Sequence, residues 1–89
     1  MQVIWSPAAL REISQIHSYI AQFNPRAATK LADELLAAGD SLTTFPHRGR
    51  PVPGSALREL TVVHPYIIRY RVADDYVRIL RVRHGRRRP

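Results

Sequence analysis

Apolar residues recur at helical spacing near the start of the chain. Ser6 is a residue type suited to cap a helix, and Pro7 is tolerated at the first helical position because an N–H there would have no intrahelical partner. Beyond them the apolar residues fall three or four apart, at Leu10, Ile13, Ile16, Ile20 and Phe23. This spacing places them on one face and predicts an amphipathic helix.

The same start signal recurs at Asn24 and Pro25 and predicts a second helix. Its apolar stripe consists of Ala28, Leu31, Leu35, Ala38 and Leu42. Gly39 falls within this helix and is expected to weaken it by roughly 1 kcal/mol relative to alanine. Because the connection between the helices is short, we expect them to lie antiparallel as a helical hairpin.

In the second half of the chain apolar residues alternate along LRELTVV, at Leu60 and Val62, and along YIIRYRV, which predicts strands. The segments LRELTVV, YIIRYRV and YVRILRVR are predicted to form an antiparallel meander, with turns at HP and ADD. A short segment near the N-terminus, QVIW, is expected to add an edge strand. Prolines and glycines in PHRGRPVPGS predict an ordered surface loop between the helices and the strands.

The order of these elements predicts an α+β fold (β-α-α-β-β-β), with the helical hairpin on one face of a small, twisted, mostly antiparallel sheet. The hairpin has one apolar face, so it can cover only one face of the sheet. Alternation along YIIRYRV assigns Tyr66, Ile68, Tyr70 and Val72 to one face and Ile67, Arg69 and Arg71 to the other. The face left open is therefore expected to carry arginines.

Length and composition narrow the possible classes. With 89 residues, of which 45% are hydrophobic, the chain is expected to form one domain over residues 1–89. It has no cysteine, which excludes disulfides and thiolate metal sites, and its histidines lack metal-ligand spacing. We expect no metal and no cofactor. No apolar run is long enough for a membrane span and no signal-peptide pattern is present, so the cytoplasm is the expected compartment.

Positive charge is concentrated in the second half of the chain. Basic residues number 14 against 7 acidic ones, a net charge of +7, and all but Lys30 are arginines. The arginine fork pairs bidentately with phosphate or carboxylate, which favours a nucleic-acid or acidic protein partner; an arginine-rich proteome is the alternative explanation. The predicted binding residues are Arg58, Arg69, Arg71, Arg81, Arg83, His84 and Arg86.

Two of these assignments have alternatives. Arg58 could instead cap the core through a salt bridge to Glu59 or to an acidic residue of a helix. The run from Arg86 to Arg88 could be a solvated tail that contributes only a long-range field.

The helical hairpin, the GRP loop, RELTV…PYIIRYRV and VRILRVRHGRR together resemble the RelE/ParE superfamily of toxin–antitoxin toxins, over nearly the whole chain. The resemblance implies the small α+β fold described above. It also implies an acidic, partly disordered cognate antitoxin that wraps and silences the toxin. Operator DNA would be contacted only through the complex with that antitoxin.

The superfamily has two arms with different mechanisms. The RelE arm resembles ribosome-dependent endoribonucleases that cut mRNA, whereas the ParE arm resembles inhibitors of DNA gyrase that act by binding. Metal-free cleavage of RNA needs acid–base groups and cations at the phosphate. The residues that could supply such a site are Arg58, Tyr66, Arg81 and His84, with Arg83 as a further cation.

Three departures from the ribonuclease pattern favour the ParE arm. Ile67 follows the strand tyrosine where the ribonuclease arm commonly has a basic residue. The stretch LRELTVVHP lacks the catalytic lysine pair, and the chain ends HGRRRP without a tyrosine. We therefore expect a gyrase inhibitor without catalytic residues. A ribosome-dependent endoribonuclease is the alternative, and a basic nucleic-acid-binding module without toxicity is the second alternative.

Overall fold

The structure, a computed structural model, describes residues 1–87, with Arg87 described by its backbone alone. Its elements are β1 (Gln2–Trp5), α1 (Pro7–Ala21), α2 (Pro25–Asp40), β2 (Arg50–Pro51), β3 (Leu57–Leu60), β4 (Tyr66–Val72) and β5 (Tyr76–His84). Short 3-10 turns follow α2 and β5. In this part of the chain no helix is both long and apolar enough to cross a membrane.

The five strands form one mixed sheet in the order β1-β5-β4-β3-β2. Strand β1 pairs parallel with β5, and the other neighbours are antiparallel. The two helices pack together, and core residues of both meet one face of the sheet. The predicted α+β fold is confirmed. The edge strand β2 was not predicted, because its two residues lie inside the proline-rich segment; Pro51 fits there because an edge strand tolerates a missing N–H.

Both helix starts follow the predicted capping pattern. The Ser6 hydroxyl accepts a hydrogen bond from the Ala9 N–H at 3.0 Å, and the Asn24 side-chain oxygen accepts one from the Ala27 N–H at 3.0 Å. Each bond satisfies an N–H that would otherwise lack an intrahelical partner. The two caps therefore define where the hairpin begins and where it turns.

The core lies between the hairpin and the sheet. Its most buried members are Ala9, Ile13, Leu35, Ala38, Leu42, Leu60, Ile68, Tyr70, Val77, Ile79 and Val82. The predicted apolar face of α1 is wrong at two positions, since the side chains of Leu10 and Phe23 are 47% and 74% exposed. Phe23 lies beyond the end of α1, and Leu10 is displaced around the helix from the buried Ala9.

Gly39 permits a close approach between α2 and the sheet. A Cβ at this position would overlap the indole ring of Trp5 and approach the Ile79 side chain to 2.8 Å. The Trp5 indole N–H also donates to the Asp40 carboxylate at 3.0 Å, at the end of the same helix. The glycine therefore has a packing role beyond the weakening of the helix that its propensity predicts.

A bulge changes the register between β4 and β5. Arg69 lies opposite Arg81, but the next residue, Tyr70, lies opposite Ile79, so that Leu80 is extra. Without the extra residue, alternation would turn Arg81 towards the core. The bulge instead places Arg81 opposite Arg69, on the face of the sheet away from the core, which we call the open face. Strand β1 pairs with β5 only as far as Ile79, so the Arg81 guanidinium can also reach Glu12 of α1 at the free edge of β5.

Candidate functional site

A row of charged residues crosses the open face from β2 to β5. Arg50 lies opposite Glu59, Glu59 opposite Arg69, and Arg69 opposite Arg81. We call these four residues the ion-paired row. The predicted arginine face therefore exists, but it contains an acidic residue that sequence reasoning did not place there.

Glu59 is the buried centre of the ion-paired row, with only 3% of its surface exposed. Its Oε2 atom accepts from Arg69 Nη2 at 2.6 Å and from Arg69 Nε at 3.2 Å, and its Oε1 atom lies 3.4 Å from Arg50 Nη2. A buried carboxylate is tolerated when it is paired and hydrogen-bonded in this way. These bonds hold the Arg69 guanidinium in one orientation.

Glu12 of α1 neutralises the other end of the row. The Arg81 Nε and Nη2 atoms donate to its carboxylate at 2.8–3.1 Å, and the Val82 N–H donates to its Oε1 atom at 2.8 Å. Burial alone would raise the pKa of Glu12, but these hydrogen bonds and the charges of Arg81 and Arg83 lower it below the usual value. The bond to Glu12 correspondingly raises the pKa of Arg81.

A groove of about 550 Å³ lies between α1 and the end of β5. The rings of Tyr66 and His84 meet there edge to face, with centroids 5.5 Å apart. His84 Nδ1 accepts a hydrogen bond from the Arg86 N–H at 3.1 Å, so Nε2 is the ring nitrogen left for other partners. The remaining walls are formed by Glu12, Gln15, Ile16, Tyr19, Ile20, Arg81, Val82 and Arg83.

Arg58 does not belong to this groove. Its Nη1 atom donates to the backbone carbonyl of Gly49 at 2.7 Å and to that of His47 at 3.3 Å. The predicted alternative of a salt bridge between Arg58 and Glu59 is wrong, because the two residues alternate on β3 and Arg58 faces the helix side. Arg58 therefore holds the loop that precedes β2.

Tyr70 holds the same loop from beneath. Its hydroxyl donates to the Pro46 carbonyl and accepts from the Gly49 N–H, both at 2.8 Å. Burial raises the pKa of Tyr70, and the hydrogen bond from Gly49 opposes the rise. Tyr70 and Arg58 together fix the path of the loop from Phe45 to Gly49, before β2.

The structure thus divides the predicted site residues into separate groups. Tyr66, Arg81, Arg83 and His84 line the groove, whereas Arg58 lies opposite Tyr70, four residues or about 13 Å along β4 from Tyr66. Arg69 and Arg71 lie on the open face, and Arg86 is exposed after β5. Of the tail, Arg88 lies outside the described residues, as does the side chain of Arg87.

Two acidic residues of the site, Glu12 and Glu59, were missed. Glu59 is buried in strand β3. Its position offered a signal, because it alternates out of phase with the apolar Leu60 and so shares a face with arginines. The position of Glu12 gave no such signal, because its partner Arg81 lies 69 residues away in the chain.

Comparisons with known proteins agree with this architecture. The family model for the ParE toxin of the type II toxin–antitoxin system parDE matches residues 3–89. Toxin RelE2 of Caulobacter vibrioides is 50% identical over 86 residues, which cover 97% of each chain. Toxin RelE1 of the same bacterium is 38% identical over 86 residues, covering 93% of this chain and 91% of that one.

A chain of the chromosomal ParDE toxin–antitoxin system from P. aeruginosa has the same fold. Its TM-score is 0.83 at 23% sequence identity, over 94% of this chain and 95% of that chain. The two helices, the mixed sheet and the N-terminal edge strand are thus shared with a ParDE protein. The chain belongs to the ParE toxin family of the ParE/RelE superfamily and is a toxin of a type II toxin–antitoxin system.

Proposed function

We propose that this toxin inhibits DNA gyrase by binding it and carries out no hydrolysis of its own. The observation that supports the proposal is that two cations of the possible ribonuclease site are engaged within the fold. Arg58 is bound to loop carbonyls, and Arg81 is bound to the Glu12 carboxylate. A cation already neutralised by a carboxylate stabilises a developing phosphorane charge less than a free one does.

The geometry of the remaining residues supports the same proposal. General acid–base catalysis needs its groups within hydrogen-bond reach of one reacting phosphate. Arg58 is about 13 Å along the sheet from Tyr66, and one nitrogen of His84 is already occupied by the Arg86 N–H. Arg58 therefore lies apart from the groove in which Tyr66, Arg81 and His84 meet, which supports a function without hydrolysis.

Family membership implies a cognate antitoxin, and we propose that it is acidic and binds along the groove between α1 and β5. The groove combines apolar side chains such as Ile16 with the positive charge of Arg83. Tyr19 and Phe23, which contact each other beside it, are 60% and 74% exposed. An acidic segment with apolar anchors would cover this surface. Toxin and antitoxin would then meet in the cytoplasm.

The test is a supercoiling assay with gyrase and with toxin freed from its antitoxin. We expect supercoiling to fall and linear plasmid to accumulate as the toxin concentration rises, and both effects to disappear when antitoxin is added first. A topoisomerase I relaxation reaction with the same toxin is the control for general interference with DNA, and should be unaffected. Undiminished supercoiling with toxin in molar excess over gyrase would reject the proposal.

A ribosome-dependent endoribonuclease is the second candidate. It is favoured by the contact between Tyr66 and His84, with Arg83 in the same groove, and by the name RelE2 of the relative that is 50% identical. Mapping of transcript 5′ ends in cells that express the toxin tests it. New ends at defined codon positions, present only when ribosomes translate the transcript, would support this candidate over gyrase inhibition.

A further inference from the structure

A second row of residues crosses the open face beside the ion-paired row. Ile4 lies beside Arg78, Arg78 opposite Arg71, and Arg71 opposite Leu57, on β1, β5, β4 and β3. We call these four residues the Arg71–Arg78 row. Two like charges directly opposite each other on antiparallel strands destabilise a sheet. The position of this arginine pair therefore requires an explanation other than folding stability.

The two rows differ in their counter-charges. In the ion-paired row, Arg69 and Arg81 are likewise opposite each other, but Glu59 and Glu12 approach them to 2.6 Å and 2.8 Å. Among the ion pairs of residues 1–86, none involves Arg71 or Arg78. The neighbours of these two arginines in the row are aliphatic. Their positive charge is therefore left for a ligand.

The exposed Asp74 and Asp75 are the acidic residues closest in sequence, in the turn between β4 and β5. Neither forms an ion pair with Arg71 or Arg78. The turn thus leaves the pair uncompensated although carboxylates are present within four residues of each arginine.

We propose that Arg71 and Arg78 form a binding site for the phosphate backbone of duplex DNA. Arg71 and Arg78 are direct partners across adjacent strands, so two guanidinium groups originate next to each other. The planar guanidinium fork matches phosphate oxygens bidentately. None of the four residues of the Arg71–Arg78 row is acidic. The site lies apart from the α1–β5 groove, which is lined by other residues.

The backbone around the pair favours a polyanion over a peptide. At Arg78, β5 is paired with both β1 and β4; at Arg71, β4 is paired with both β5 and β3. An added peptide strand needs a free sheet edge, and a docked helix needs a groove. A polyanion needs neither, because it can be held by side-chain charge alone. The choice of DNA over RNA rests on the proposed function, since gyrase presents DNA to its inhibitor.

The experiment measures binding of antitoxin-free toxin to a labelled DNA duplex by fluorescence anisotropy over a series of salt concentrations. The Arg71→Gln/Arg78→Gln variant is compared with Arg11→Gln/Arg26→Gln, which removes two exposed arginines from the helices. We expect the first variant to bind DNA roughly tenfold more weakly than the wild-type toxin. The slope of the logarithm of the binding constant against the logarithm of the salt concentration should become less negative by about 1.8, since each phosphate contact contributes about 0.9. The control should retain nearly the wild-type slope.

A thermal unfolding measurement shows whether the first variant is folded and whether the pair is strained. Removing an uncompensated like-charge pair should raise its melting temperature by about 2–5 °C. Removing Arg69 and Arg81 in the same way should lower the melting temperature, because it leaves Glu12 and the buried Glu59 without these partners.

Three outcomes would overturn the site. The first is the absence of DNA binding by the wild-type toxin, and the second is an equal loss of DNA affinity in the two double variants. Polyglutamate, a model for an acidic protein, is measured in the same assay. The third outcome is that the Arg71→Gln/Arg78→Gln variant loses polyglutamate binding as strongly as DNA binding. The last would identify a surface for acidic protein instead. If DNA binding behaves as expected but gyrase is not inhibited, the phosphate site stands and the proposed function fails. If the toxin inhibits gyrase but the Arg71→Gln/Arg78→Gln variant binds DNA as the wild-type toxin does, the proposed function stands and the phosphate site fails.

Discussion

Individual arginines of this chain have different roles that depend on the carboxylates and carbonyls around them. Arg58 donates to backbone carbonyls and fixes a loop, while Arg81 is held by Glu12 in a bidentate ion pair. Arg71 has no ion-pair partner among residues 1–86 and is exposed. Residue type alone therefore does not distinguish binding arginines from structural ones. The distinction depends on whether carboxylate or carbonyl acceptors lie next to the guanidinium group.

Glu12→Gln tests the stabilising role of the ion pair with Arg81. A carboxyl whose folded-state pKa lies below its ordinary value of 4.5 contributes stability above that value, and this contribution is lost as pH falls through the folded-state pKa. The amide can still accept from the Val82 N–H but carries no charge. We expect the free energy of unfolding at pH 7 to fall by about 1–2 kcal/mol, and the difference to shrink towards pH 3.

Urea unfolding of both proteins at pH 7 and pH 3 checks this expectation. Glu34→Gln on the exposed side of α2 is the matched control and should change stability by less than about 0.5 kcal/mol. A Glu12→Gln difference that stays the same at both pH values would mean that packing, and not charge, is what the substitution removes.

Gly39→Ala should destabilise the protein even though alanine is the better helix former. The higher helix propensity of alanine would raise the free energy of unfolding by roughly 1 kcal/mol. The new Cβ would however overlap the Trp5 indole, and overpacking of this kind lowers the free energy of unfolding by about 1–3 kcal/mol. We expect a net loss of about 1 kcal/mol in denaturant unfolding. Ala37→Gly, two residues away on the exposed side, isolates the propensity effect. Stabilisation by Gly39→Ala would contradict the close packing of Trp5 on α2.

At the scale of the elements, the bulge in β5 decides which side chains of that strand face the core. The bulge at Leu80 allows Ile79 and Val82 both to face the core although they are three residues apart. An apolar spacing that changes from two to three within a strand is the sequence signal for such a bulge. That signal is present in YVRILRVR, where the apolar Val77, Ile79 and Val82 are two and then three residues apart.

Tyr70→Phe should release the loop from Phe45 to Gly49, before β2. The change removes both hydrogen bonds of the hydroxyl and leaves the buried Gly49 N–H without an acceptor, which costs about 2–3 kcal/mol. Hydrogen exchange at the Gly49 amide should become faster than in the wild-type protein. Tyr19→Phe, at an exposed position on α1, is the control and should leave stability within about 0.5 kcal/mol. Unchanged protection at Gly49 would show that Arg58 alone holds the loop.

At the scale of the whole molecule, local sequence signals predicted the fold better than the site. Capping residues and periodicity identified both helices and the three strands β3, β4 and β5, because these signals lie within one element. The open arginine face followed from strand alternation. The pairing of Glu12 with Arg81 and the separation of Arg58 from Tyr66 depend on contacts between distant elements, which no local pattern contains.

His84→Ala separates inhibition by binding from catalysis at the level of the whole toxin. A binding surface spreads its free energy over many contacts, so truncating one side chain outside a hot spot costs little. Loss of a general acid or base would instead reduce catalysis by about 10²–10⁴-fold. We therefore expect His84→Ala to arrest growth nearly as the wild-type toxin does, as measured by viable counts after induction. Circular dichroism and antitoxin binding confirm that the variant is folded, and loss of toxicity in such a folded variant would support the endoribonuclease instead.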